Sequence, residues 1–142
     1  MIPVQDGVVG EEPPPLRVVA RAGFAATEGA VAEARRWLRE VLAGHPRCDD
    51  AVLLLSETFT NAVVHTRSDA VGVVVLAGDG GQVQVEVVDG GAGTVPCTCD
   101  RAAERLEEGG RGVGLLRAMS ARWGFFEEAP WCVVWFAFDG AG

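Results

Sequence analysis

The residue types able to do chemistry concentrate in one apolar stretch, 52–64 and its flanks, of a 142-residue chain. Into it are set Glu57, Asn61 and His65 at a repeat of four, which stacks them on one face of a helix. Every surface helix needs a wet side, but long flexible charges serve that purpose, and an Asn in mid-helix costs propensity. An amide oxygen is a hard ligand suited to Mg²⁺, which keeps waters and takes few protein ligands beside substrate phosphates. A carboxylate one turn away can accept the proton of an attacking hydroxyl. Thr58 and Thr60 add hydroxyls nearby, and His65, close to the helix end, also suits a partner for the helix dipole.

Two glycine clusters follow. Asp89-Gly90-Gly91-Ala92-Gly93 comes directly after a strand pattern, where glycines admit a ligand close to the backbone and the carboxylate can accept an amine hydrogen bond. Gly110-Arg111-Gly112-Val113-Gly114 precedes an apolar helical run, so its amides are free to bind anionic oxygens at a helix N-terminus. Each cluster alone also fits a flexible turn; their order and spacing together are more specific.

The elements that position these residues follow from periodicity and breakers. Residues 16–21 read as a strand, and Thr27 as the N-cap of a helix whose Val31, Ala34, Trp37, Leu38, Val41 and Leu42 recur at helical spacing. Gly44-His45-Pro46 stops it, and the second helix runs from near Cys48 to about Thr66. Strands are expected at 70–77 and 82–88, joined by a hairpin turn at 78–81, then at 123–127 and 132–138. Between these pairs lie a polar loop, 94–109, and a third helix, 113–121. The order predicts an α+β two-layer sandwich, a mostly antiparallel sheet with helices on one face. Residues 1–14, with Glu-Glu-Pro-Pro-Pro at 11–15, read as a flexible tail before a single domain, 15–142.

Composition narrows the chemistry. All 12 cationic side chains are arginine, against 20 Asp+Glu, for a net charge of −8. Without lysine there is no Walker-type phosphate loop, no strand lysine of a eukaryotic-type protein kinase and no Schiff base. The acidic balance disfavours nucleic acid. No apolar run approaches the roughly 18 residues of a membrane span, and the start lacks the flanks of a secretion signal. The four cysteines, Cys48, Cys97, Cys99 and Cys132, are therefore expected in a reducing cytoplasm. His45-x-x-Cys48 with Cys97-x-Cys99 departs from the usual zinc spacing, and unremarkable cysteines are the better reading. The four tryptophans, Trp37, Trp123, Trp131 and Trp135, read as core or subunit-contact aromatics.

Glu57-x-x-x-Asn61, Asp89-x-Gly91-x-Gly93 and Gly110-x-Gly112-x-Gly114, in that order, resemble the gyrase/chaperone/histidine-kinase ATPase superfamily. The phrase 56–66 and Arg122-Trp123-Gly124 are similar to its short single-domain form, the bacterial anti-sigma-factor serine kinases and their actinobacterial relatives. The resemblance covers about 16–138 and implies a Bergerat-type ATP-binding fold. It implies that Asn61 coordinates Mg²⁺ on the ATP phosphates and that Glu57 is general base towards the phosphoacceptor hydroxyl. It implies that Asp89 binds the adenine amino group, with Gly91 and Gly93 lining the base pocket. Gly110, Arg111, Gly112, Val113 and Gly114 would cradle the phosphates under a lid formed by 94–109, and Arg101, Arg105 and Arg111 are the cations available to them. It further implies a homodimer, a sigma factor as one partner, and an anti-sigma-factor antagonist phosphorylated on Ser or Thr. Two departures mark this chain: Glu128-Ala129-Pro130-Trp131 replaces the usual Gly-rich turn, and the lid carries Cys97-Thr98-Cys99 and an acidic end. They favour, as the alternative, a non-catalytic ATP-binding partner-switching module with an altered lid.

Overall fold

Runs of β-branched residues make the sheet, and the structure, a computed structural model, describes residues 15–66, 68–90, 122–128 and 130–140. The strands are β1 (Arg17–Ala25), β2 (Ala70–Ala77), β3 (Val83–Asp89), β4 (Arg122–Glu128) and β5 (Trp131–Phe138); the helices are α1 (Ala30–Val41) and α2 (Cys48–His65). The expected tail, the 94–109 loop and the third helix lie outside the described residues. The strands form one sheet in the order β1-β2-β3-β5-β4 with every neighbouring pair antiparallel, so the α+β reading holds for the described part.

The strand period of two decides what faces the helices. Val71, Val73 and Val75 of β2, Val83, Val85 and Val87 of β3, and Phe136 and Phe138 of β5 join Ala34 and Leu38 of α1 and Leu54, Leu55 and Phe59 of α2 in one buried core. Phe24 on β1 reaches into it, with its ring edge-on to Trp37 and Phe59 at centroid distances of 5.8 and 5.9 Å. Such pairs add to the area they bury, which is why β1 continues through Gly23 and Phe24 to Ala25 instead of ending near 21. Of the tryptophans, Trp37 and Trp123 pack against this core, whereas Trp131 is 49% exposed.

The α1 start also differs in detail from the expected cap. Gly29 occupies the N-cap position, and Thr27 acts two residues earlier, its Oγ1 and carbonyl both accepting from the Ala30 N–H at 3.2 and 3.1 Å. The connection from α1 to α2 is tied to the β2–β3 turn by His45. Its Nε2–H donates to the Gly81 carbonyl at 3.0 Å while Nδ1 accepts from the Arg47 N–H at 3.0 Å. Both ring nitrogens are thus engaged by the protein itself, one as donor and one as acceptor, which is the neutral imidazole. Arg47 in turn pairs with Asp50 at 2.9 Å and lies 4.5 Å over the Phe138 ring. This cross-link sets where α2 begins relative to the sheet.

Candidate functional site

Of α2, the face built from Ala51, Val52, Leu54, Leu55, Phe59 and Ala62 is buried against β2, β3 and α1. Glu57 and Asn61 fall on the flank of that face, half-buried and one turn apart. Among the described residues the Asn61 amide has no hydrogen-bond partner. A half-buried amide that is not already bonded within the described protein is open to a ligand. Leu53 and Val64, 41% and 60% exposed, bracket the polar pair along the same flank, since 53, 57, 61 and 64 recur at helical spacing. Sequence reasoning passed over these two apolar residues, although their spacing from Glu57 and Asn61 was the available signal.

The hydroxyls expected near the site divide. Thr58 is 2% exposed and turned inward, its Oγ1 donating to the Leu54 carbonyl at 2.9 Å and approaching that of Leu55 at 3.3 Å. Ser56 likewise donates to the Val52 carbonyl at 3.0 Å. Back-bonding of this kind satisfies a hydroxyl inside an apolar helix, so neither contributes to the wet flank. Thr60 is exposed. His65 closes α2 one turn after Asn61.

Asp89 ends β3 opposite Val71 and Cys132, on the helix-facing side with Val83, Val85 and Val87, and is 8% exposed. A carboxylate at a strand end on the sheet's helix side is well placed to accept a hydrogen bond from a ligand lying between the layers. The backbone then turns through Gly90, which passes close to the loop following α2. A Cβ at Gly90 would stand 2.6 Å from the Ser68 Cβ, so only glycine fits there. Ser68 is itself fixed, its Oγ donating to the Ala70 carbonyl at 2.6 Å and its N–H bonding Thr66 Oγ1 at 3.1 Å. The end of α2 and the start of the first glycine cluster are therefore in direct contact. Gly91 and Gly93, and the second cluster Gly110, Arg111, Gly112, Val113 and Gly114, lie outside the described residues, as do Arg101, Arg105, Cys97 and Cys99.

The histidine kinase-like ATPase domain family matches residues 24–129, a span that includes Glu57, Asn61, Asp89 and both glycine clusters. The chain belongs to that family. Among solved structures, the RsbU and RsbW domains of Rv1364c from Mycobacterium tuberculosis are similar to it with a TM-score of 0.62 at 22% identity, over 89% of this chain and 32% of that one. The chain thus spans about a third of that protein's length. The SiaB–SiaC complex from Pseudomonas aeruginosa gives a TM-score of 0.53 at 15% identity, over 86% of this chain and 90% of the other. At such identities the likeness is one of fold.

Membership of the histidine kinase-like ATPase domain family carries ATP binding with it. The donor set fits that cofactor. It offers a carboxylate and an amide, the latter unpartnered among the described residues, on one helix flank, with a buried carboxylate at the adjoining strand end. Among the described helices, none is long and apolar enough to cross a membrane.

Proposed function

We propose that this chain is a Mg²⁺-ATP-dependent serine/threonine kinase of the partner-switching type, an anti-sigma factor that phosphorylates a small antagonist protein in the cytoplasm. The observation that carries the reading is the half-buried Asn61 amide, unpartnered among the described residues, with Glu57 one turn before it, in a chain of the histidine kinase-like ATPase family. The resemblance of 56–66 to the anti-sigma-factor kinase helix supports the choice of substrate class.

In this reading the Asn61 amide oxygen holds Mg²⁺, a hard cation suited to an oxygen donor. Asp89 accepts the hydrogen bond of the adenine amino group, and Gly91 and Gly93 let the backbone approach the base. The amides of Gly110, Gly112 and Gly114, with Arg111 and Val113, hold the phosphates at the start of the following helix. When bound, Mg²⁺-ATP supplies the phosphoryl group and most of the charge that must be balanced. Glu57 takes the proton of the antagonist's Ser or Thr hydroxyl as the new P–O bond forms and the bond to ADP breaks. Arginine is the only side-chain cation available for the phosphates, because the chain has no lysine.

The test is a calorimetric titration with Mg²⁺-ATP followed by transfer of labelled phosphate to antagonist proteins encoded near this gene. Saturable binding together with labelled antagonist is expected; absence of binding would sink the nucleotide reading altogether. A second reading, a nucleotide-dependent module without transfer, draws on the β4–β5 connection. There Glu128 pairs with Trp131, and the sequence 128–131, Glu-Ala-Pro-Trp, replaces the Gly-rich turn that the resemblance implies. Tight Mg²⁺-ATP binding with no transfer to any antagonist would select it.

A further inference from the structure

Two exposed stripes of the helix layer lie side by side, and neither is an ordinary wet helix surface. α2 presents Leu53, Thr60 and Val64 outward at positions i, i+7 and i+11, with Leu53 41% and Val64 60% exposed. Exposed apolar residues taken singly are common. Here two stand on one side of a helix, about 16 Å apart along its axis. From 51 to 64 the helix carries a single charge, Glu57, and the Ser56 hydroxyl is bonded back to Val52. An outer side so poor in charge has the composition of a contact core, not of a face left to solvent.

α1 supplies the charge that α2 lacks. Arg35 and Arg39 are exposed and one turn apart, a spacing at which like charges repel. Arg39 reaches Asp49, at the start of α2, at 3.2 Å, so the side of α1 that bears the two arginines is the side next to α2. That ion pair stands in water, its side chains 50% and 92% exposed, and a partner's carboxylate can replace it at little cost. Arg35 has Val31, Ala32, Leu38 and Arg39 as its neighbours along the helix surface, no acid among them, and makes no ion pair among the described residues. Arg36, about 100° further round the helix, has Glu33 and Glu40 one turn to either side.

We propose that this double stripe docks the protein that accepts the phosphoryl group, an antagonist that meets Leu53 and Val64 with apolar side chains and Arg35 and Arg39 with carboxylates. The identity of the occupant rests on the kinase reading; the surface itself does not. Charge selects the occupant. On a chain of net charge −8 an acidic partner is repelled in general and accepted where arginines stand unopposed, which fixes its orientation as well as attracting it.

The consequence is positional. Leu53 lies one turn before Glu57 and Val64 two turns after it, so a protein seated on both covers Glu57 and sets a surface Ser or Thr hydroxyl at that carboxylate. A small acceptor would need no such platform.

The probes are the antagonist proteins encoded near this gene, each purified and titrated calorimetrically into the full chain, with Mg²⁺-ADP and without nucleotide so that no phosphoryl group moves. Binding of at least one, weaker as salt rises, is expected, with amide exchange slowed in 31–42 and 52–65. Arg35→Glu should weaken it by about 10-fold and flatten its salt dependence, and Leu53→Asp by about 10-fold or more. Arg36→Glu, the same change in charge, should stay within about threefold. Circular dichroism melting shows that each variant is folded, and Val64→Asp replaces Leu53→Asp should the latter not fold. No binding at about 100 µM overturns the proposal, as does slowed exchange confined to other segments or an equal effect of Arg36→Glu and Arg35→Glu. Slowed exchange in 31–42 and 52–65 on concentrating the chain alone assigns the surface to a second copy and also overturns it. Binding here without label transfer from Mg²⁺-ATP sinks the kinase reading and leaves the docking surface standing. Transfer with unchanged KM for the antagonist in folded Arg35→Glu and Leu53→Asp does the reverse.

Discussion

Gly90 and Ser68 approach so closely that a Cβ on the glycine would lie 2.6 Å from the serine Cβ. The contact joins the loop after α2, which carries Glu57 and Asn61, to the first residue beyond Asp89. Gly90→Ala must push one of these segments away, and Ser68 cannot yield easily because its hydroxyl is bonded at Ala70. A loss of about 1–3 kcal/mol in stability is expected, with weaker Mg²⁺-ATP binding. Ser68→Gly in the same chain should restore most of the loss, a coupling that denaturant titration of the two single variants and the double variant measures directly.

Asn61→Ala tests the amide. Among the described residues the Asn61 side chain makes no hydrogen bond for the change to break, so stability should move by less than about 1 kcal/mol. The Mg²⁺-dependent part of ATP affinity should disappear, read as equal affinities with and without EDTA. A variant that keeps its Mg²⁺ dependence would place the cation elsewhere.

Much of this arrangement was legible in the sequence, for identifiable reasons. Ala70–Ala77 was expected residue for residue because a β-branched run is bounded by turn formers on both sides. α2 was legible because Asp49 and Asp50 mark its first turn and the apolar run behind them is too long for a strand. β1 was read as 16–21, and only the Phe24 contacts with Trp37 and Phe59 show why the strand continues. The Asp89 carboxylate was recognised by its place before glycines, but its burial depends on pairing with β2 and β5, which local pattern does not encode.

Thr58 separates two kinds of hydroxyl on α2. Its Oγ1 is spent on the Leu54 carbonyl and its side chain is packed in the core. Thr58→Val keeps the volume and removes a hydrogen bond whose acceptor remains bonded within the helix, so stability should change by about 1 kcal/mol or less. Mg²⁺-ATP binding and any transfer should be unaffected. Thr58→Asp, by contrast, forces a carboxylate into the core and should unfold the domain, visible as loss of cooperative melting.

Glu57 bears the most specific chemical role, and isosteric replacement isolates it. Glutamine preserves the shape of the α2 flank and can hydrogen-bond, yet it cannot take up a proton at neutral pH. Folding and Mg²⁺-ATP affinity should therefore match the wild type. Transfer to the antagonist should fall by about 10² to 10⁴-fold, the usual weight of a positioned general base, with the loss in kcat and little change in KM. A structural role would move affinity and stability along with rate. Undiminished transfer by Glu57→Gln would remove Glu57 as the base while leaving the Asn61 and Asp89 assignments standing, because those rest on binding.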